Sequence, residues 1–146
     1  MSMYNRVMVA YIDNLVSRKA LREAVNIVKL HRGTLCVVHV TSSEDTAKQE
    51  EGYRVLETGL AFVRSVDSAL QVETQLLTAD PIYGLTGVGD AIVKASEDWG
   101  ASLLVLGTAS RKGLKLFVVG SVAETIVKKV DASILLVSSG FQVPVL

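Results

Sequence analysis

Four short runs of aliphatic residues, with little polar alternation inside them, constrain this chain more than any other feature. They are Val7-Met8-Val9-Ala10-Tyr11-Ile12, Leu35-Cys36-Val37-Val38-His39-Val40, Leu103-Leu104-Val105-Leu106 and Ile134-Leu135-Leu136-Val137. A strand with one wet face alternates, whereas a strand covered on both faces does not, so these runs read as strands of a parallel sheet. A further run over 70–77 sets Leu70, Val72, Thr74 and Leu76 against Gln71, Glu73 and Gln75. That alternation predicts a strand with one wetter face, at a sheet edge. No run approaches the roughly 20 apolar residues needed to cross a bilayer.

Helical patterns fill the intervals. Ser17 is placed to cap a helix with an apolar face of Ala20, Leu21, Ala24, Val25 and Val28, closing at Arg32-Gly33. Ser42 or Ser43 is placed to cap a second, with Tyr53, Leu56, Leu60 and Val63 inward. A third carries Ala91, Ile92 and Ala95 and ends at Trp99-Gly100. The fourth starts at Ser121, where Glu124 three residues on predicts a capping box, with Val122, Ile126 and Val130 along its buried side. Segment 80–90, with Gly84, Gly87 and Gly89, reads as an extended connection: a plain surface loop or a mobile lid.

The element order is therefore βαβαβαβαβ. Right-handed crossovers then predict an α/β fold, a three-layer α/β/α sandwich around a five-stranded parallel sheet in the order 3-2-1-4-5. Residues 1–140 read as one domain and 141–146 as a tail. Ligands of such folds bind beyond the carboxyl ends of the strands where the winding reverses, here between strands one and four. The fifth strand is an apolar edge and needs cover. A homodimer through that edge, with the tail Phe141 to Leu146 pairing or exchanging, supplies it; the tail folding back within one chain is the alternative.

Charge and cysteine content exclude several function classes. Lys+Arg and Asp+Glu both total 15, so no basic excess is available for general nucleic-acid binding. The one cysteine, Cys36, makes neither an internal disulfide nor a zinc cluster. Too few residues precede the first apolar run for a signal peptide. These features predict a cytoplasmic protein with neither a nucleic-acid nor a membrane partner. His39, Cys36 and Trp99 read as packing residues, and no nucleophile is paired with His39.

Chemistry concentrates after strand four, where the chain runs Gly107-Thr108-Ala109-Ser110-Arg111-Lys112-Gly113 and reaches a helix start at Gly120-Ser121-Val122. Free backbone N–H groups and the positive end of the helix dipole make Gly120, Ser121 and Val122 a place for phosphate oxygens. Arg111 and Lys112 can add charge. A Walker A loop is excluded, because Arg111 stands where its second glycine belongs and Gly113 follows Lys112. A dinucleotide fingerprint after strand one is absent too.

These residues resemble the universal stress proteins, whose ATP-binding members carry Gly-x2-Gly-x9-Gly-Ser/Thr after the fourth strand. Here the pattern reads Gly107, Ser110 and Gly120-Ser121. Val122-Ala123-Glu124, Lys128-Lys129, Val38-His39-Val40 and 102–108 also look like the family. The likeness spans the whole chain in length and element order. It implies an adenine nucleotide alpha hydrolase-like fold and ATP, with or without Mg2+, lying across strands one and four; AMP or ADP would fit the same crevice. Adenine would sit near Val40 and strand one (Ala10, Tyr11), and ribose near Asp13 and Gly107. The triphosphate would lie over Ser110, Arg111, Lys112, Gly113 and Gly120 to Val122. The implied role is regulatory binding in a stress response, with at most slow hydrolysis.

Two positions depart from the family. Ser110 replaces the second motif glycine, and the family's strand-one aspartate aligns with Ile12, with Asp13 one place later. A family member that has lost ATP and works as a dimeric interaction module is therefore the alternative. A phosphoaccepting receiver domain shares the architecture, but Ser138-Ser139 stand where its lysine would be.

Overall fold

In the computed structural model, residues 3–42, 45–108 and 120–138 are described. Five strands, β1 (Arg6–Ala10), β2 (Thr34–Thr41), β3 (Val72–Thr78), β4 (Leu103–Gly107) and β5 (Ser133–Val137), form one sheet in the order β3-β2-β1-β4-β5. Every pairing is parallel, with Val7 against Leu35 and Leu103, and Leu104 against Ile134. Helices α1 (Leu15–His31), α2 (Thr46–Val66), α3 (Gly84–Trp99) and α4 (Ser121–Lys129) complete an α/β/α sandwich. The strand order is the one the hydrophobic runs imply, and β3 at the edge leaves Glu73, Thr74 and Thr78 exposed.

Alternate residues of each strand feed two cores. Val7, Val9, Tyr11, Leu35, Val37, Leu103 and Val105 pack under α1 and α2, with Leu21, Val25, Leu56 and Val63. Met8, Cys36, Val38, Leu104 and Leu106 pack under α3 and α4, with Ile92, Ala95 and Ile126. A fully buried leucine such as Leu104 contributes roughly 1.5–3 kcal/mol by removal from water.

Several helix starts differ from their sequence expectation. Asn14, not Ser17, caps α1: its side chain accepts from the Ser17 N–H at 2.8 Å, while the Ser17 hydroxyl accepts from the Ile12 N–H at 3.2 Å. Each side chain serves the other's end of the turn, which is why Ser17 is buried. Asp45 caps α2 through the Ala47 N–H rather than Ser42, and Ser43 lies outside the described residues. Gly120 occupies the cap position of α4, so Ser121 is its first helical residue and forms no capping box with Glu124. On α2, Tyr53 is exposed; the inward row is Gly52, Leu56, Gly59 and Val63. The two glycines admit large sheet residues, since a Cβ on Gly59 would stand 3.1 Å from the Tyr11 ring.

The glycine-rich segment 80–90 is neither loop nor lid. Asp80 caps a single 3-10 turn, Pro81–Tyr83, by accepting from the Ile82 N–H, and α3 starts at once at Gly84. At the other end of α3, Trp99 is pinned. The Arg6 guanidinium lies 3.9 Å over its ring, and its indole N–H donates to Glu73 at 2.9 Å.

Burial first, and the Glu73 charge with it, push the Cys36 thiol from an ordinary 9.0 up to about 12 against the opposing charge of Arg6. The folded value exceeds the unfolded one, so this contribution to stability is complete below pH 9.0 and is lost as pH rises toward 12. The difference in stability between the native chain and Cys36→Ala should therefore shrink across that window in urea titrations. A constant difference would contradict it. Labelling of Cys36 by a thiol reagent at neutral pH should proceed no faster than unfolding.

Candidate functional site

The carboxyl ends of β1 and β4 adjoin at the reversal of winding, and the first turns of α1 and α4 begin on that same side. The β1–α1 turn is held by hydrogen bonds to β2 and within itself. Tyr11 N–H donates to the Val38 carbonyl at 2.8 Å, and the Tyr11 carbonyl accepts from His39 Nδ1 at 2.8 Å. A carbonyl only accepts, so His39 carries its proton on Nδ1. The Asn14 N–H donates to the Ile12 carbonyl at 2.8 Å.

The expected site residues fall into groups. Ala10, Val40 and Val122 all pack, half-buried, against the core under α3 and α4, and so line the same side of the sheet. Tyr11 points the other way. It is 2% exposed under α2, with its hydroxyl 3.2 Å from Thr58 Oγ1 and donating to Asp13 Oδ1 at 3.5 Å. Asp13 is exposed, and so is Ile12 beside it. Ser110, Arg111, Lys112 and Gly113 lie outside the described residues.

Gly107 and Gly120 are glycines for different reasons. A Cβ on Gly107 would stand 2.7 Å from Val16 Cγ1 and 3.4 Å from the Val16 backbone, so this glycine lets the first turn of α1 approach the end of β4. Around Gly120 no atom of the described residues lies within 4 Å of where a Cβ would be. Its backbone, φ −62° and ψ 157°, suits any residue. Ser, Asp or Asn would cap α4 better, each adding a side-chain acceptor for an orphan N–H. Glycine adds no such acceptor, and α4 has no side-chain cap hydrogen bond at that residue. Ser121 is exposed, with its carbonyl accepting from Thr125 Oγ1 at 3.1 Å.

The model of the universal stress protein family matches residues 3–138. The chain belongs to the universal stress protein family. Among curated members, one from Bacillus subtilis is 26% identical, covering 92% of this chain and 99% of that protein. Another from Methanocaldococcus jannaschii is 25% identical over 93% of this chain and 83% of its own length. Among solved structures, a universal stress protein in complex with cAMP superposes with a TM-score of 0.75 at 18% identity, covering 95% of this chain and all of that one. The Archaeoglobus fulgidus universal stress protein in complex with dAMP gives 0.70 at 20% identity, covering 92% and 98%. The fold is thus the adenine nucleotide alpha hydrolase-like sandwich, and adenine nucleotides are bound by two structural neighbours of this universal stress protein.

Among the described residues no three His, Cys, Asp or Glu side chains gather as a metal site, and no helix is long and apolar enough to cross a membrane. The hydrogen bonds of Asn14 and His39 were not readable as site features: each is a side chain meeting the backbone of the β1–α1 turn, Asn14 from within it and His39 from β2. The Asn-x-x-Ser spacing of Asn14 and Ser17 was the one signal available.

Proposed function

We propose that this universal stress protein binds an adenine nucleotide, ATP with or without Mg2+ or else AMP or ADP, in the crevice between the ends of β1 and β4. The observation that carries the reading is Gly120, the cap of α4, where no side chain of the described residues stands within 4 Å of a Cβ position, in a family whose structural neighbours hold adenine nucleotides. Phosphate oxygens would accept from the N–H groups of Ser121 and Val122, the triphosphate lying over Ser110, Arg111, Lys112 and Gly113 as well. Ala10 and Val40 would offer an apolar wall to the base, Tyr11 would contribute through its backbone, and Asp13 and Gly107 would flank the sugar. The role is regulatory binding in the cytoplasm, as part of a stress response, rather than fast catalysis.

The test is the melting temperature with and without millimolar Mg-ATP. A nucleotide at about 100 times its Kd adds roughly 2.7 kcal/mol, a rise of about 8 °C for a chain of this size. No rise with ATP, ADP or AMP would sink the proposal. A second reading, an interaction module without ATP, is favoured by exposed Ile12 where the family's aspartate aligns and by the Asp13 carboxylate turned toward the Tyr11 hydroxyl. In either reading the chain acts as a homodimer through β5, which among the described residues pairs on one side only and leaves Ile134, Leu135 and Leu136 half-exposed. The tail 141–146, outside the described residues, would extend that edge.

A further inference from the structure

We infer that Gly89 on α3 is a positioning residue that seats the first turn of α4 and thereby sets how tightly the phosphates are held; this rests on the nucleotide reading above. A Cβ on Gly89 would stand 2.8 Å from both Cβ and Cγ2 of Thr125 and 3.4 Å from the Val122 carbonyl oxygen. Contacts below 3.0 Å force something to shift. Thr125 Cβ is fixed to its own backbone and cannot rotate away, so the helix itself must move. Thr125 is also tied to the front of α4, because its hydroxyl donates to the Ser121 carbonyl at 3.1 Å. Displacing Thr125 therefore displaces Ser121 and Val122, whose N–H groups face the cap.

The next residue along α3 touches the far end of α4: Asp90 accepts from Lys129 at 2.7 Å, a surface pair too exposed to hold the helix. Pressure at Gly89 is instead delivered at Thr125 and at the Val122 carbonyl of the first turn. The glycine-rich stretch thus has a use its composition did not disclose. Alanine is the better helix former at an ordinary α3 position, so glycine here marks a requirement for space.

Equilibrium binding of ATP and of adenosine to the full chain separates position from general damage. Adenosine lacks phosphates, so a shift of α4 should leave its affinity in place. For the native protein ATP should bind well over tenfold tighter than adenosine. In Gly89→Ala that ratio should fall about tenfold, and in Gly89→Ala/Thr125→Gly, which takes away the Cβ, methyl and hydroxyl of Thr125 so that the added methyl group no longer meets them, it should return to within about threefold. A native ratio near one overturns the reading of the α4 terminus itself. A native preference that survives unchanged in folded Gly89→Ala overturns the seat alone. Should Gly89→Ala not fold, the double variant decides: a native ratio supports the seat, and a folded double variant without ATP preference overturns it.

Discussion

Gly33→Ala should destabilise the protein by about 3 kcal/mol and lower its melting temperature by about 10 °C, although it adds one methyl group. A Cβ there would stand 2.5 Å from the Asn5 carbonyl oxygen, 2.8 Å from its carbonyl carbon and 2.9 Å from its Cα. All three are backbone atoms, so no side chain can turn aside. Asn5 is not free to retreat, because its carbonyl accepts from the Thr34 N–H at 2.9 Å and opens the β1–β2 ladder at Arg6 and Thr34. The Gly33 N–H in turn donates to the Val28 carbonyl at 3.0 Å, closing α1. The added methyl must therefore separate α1's exit from the start of β1. The neighbouring residue supplies the control. Arg32, not Gly33, is the left-handed residue at the end of α1, with φ 54°. Arg32→Gly relieves a strain of about 1 kcal/mol, so adjacent substitutions should move stability in opposite directions in urea denaturation. Equal effects of the two would show that the turn is governed by backbone conformation rather than by the approach of Asn5.

The same pair of residues shows what sequence reasoning reaches in this fold. Arg32-Gly33 is rightly read as a helix end, since glycine after cations is a common stop, yet the glycine is required by the backbone of Asn5, 28 residues earlier at the entry to β1. Patterns that depend on one element's own face were legible. The unalternating runs of β1, β2 and β4 identify covered strands, whereas the equally apolar run of β5 is only half-covered; the polar face of β3 places it at an edge, and the buried row of α1 follows its 3.6-residue period. Features decided by a second element were not. Three glycines between Asp80 and Asp90 read as a loop because glycine weakens helices, whereas Gly89 is helical and its space is taken by Thr125 of α4. Tyr53 fits an apolar face by type, yet Gly52 and Gly59 hold the inward row because Leu76 and Tyr11 fill the room they leave. At the site, position was legible and orientation was not. Tyr11 and Val40 end neighbouring strands, but pleat parity sends Tyr11 beneath α2 and leaves only Val40 with Ala10.

Gly120→Val should leave the fold in place while removing nucleotide binding, and the separation of those two effects is its diagnostic value. The backbone at Gly120 lies in a region valine adopts freely, and its Cβ meets no atom of the described residues. Replacing glycine by valine at a cap costs about 1 kcal/mol, a fall of a few degrees. The branched side chain would stand among the N–H groups of Ser121 and Val122, where phosphate oxygens need to come within about 3 Å. The roughly 2.7 kcal/mol of nucleotide stabilisation should then vanish, an affinity loss of about a hundredfold or more. Gly107→Val offers the contrast. Its Cβ collides with Val16, so stability and binding should fall together. Melting curves of both variants, each with and without Mg-ATP, distinguish the cases. A Gly120→Val protein that keeps the full shift would mean the nucleotide does not use this helix start. One that melts as early as Gly107→Val would mean the space beside Gly120 is filled by the protein itself.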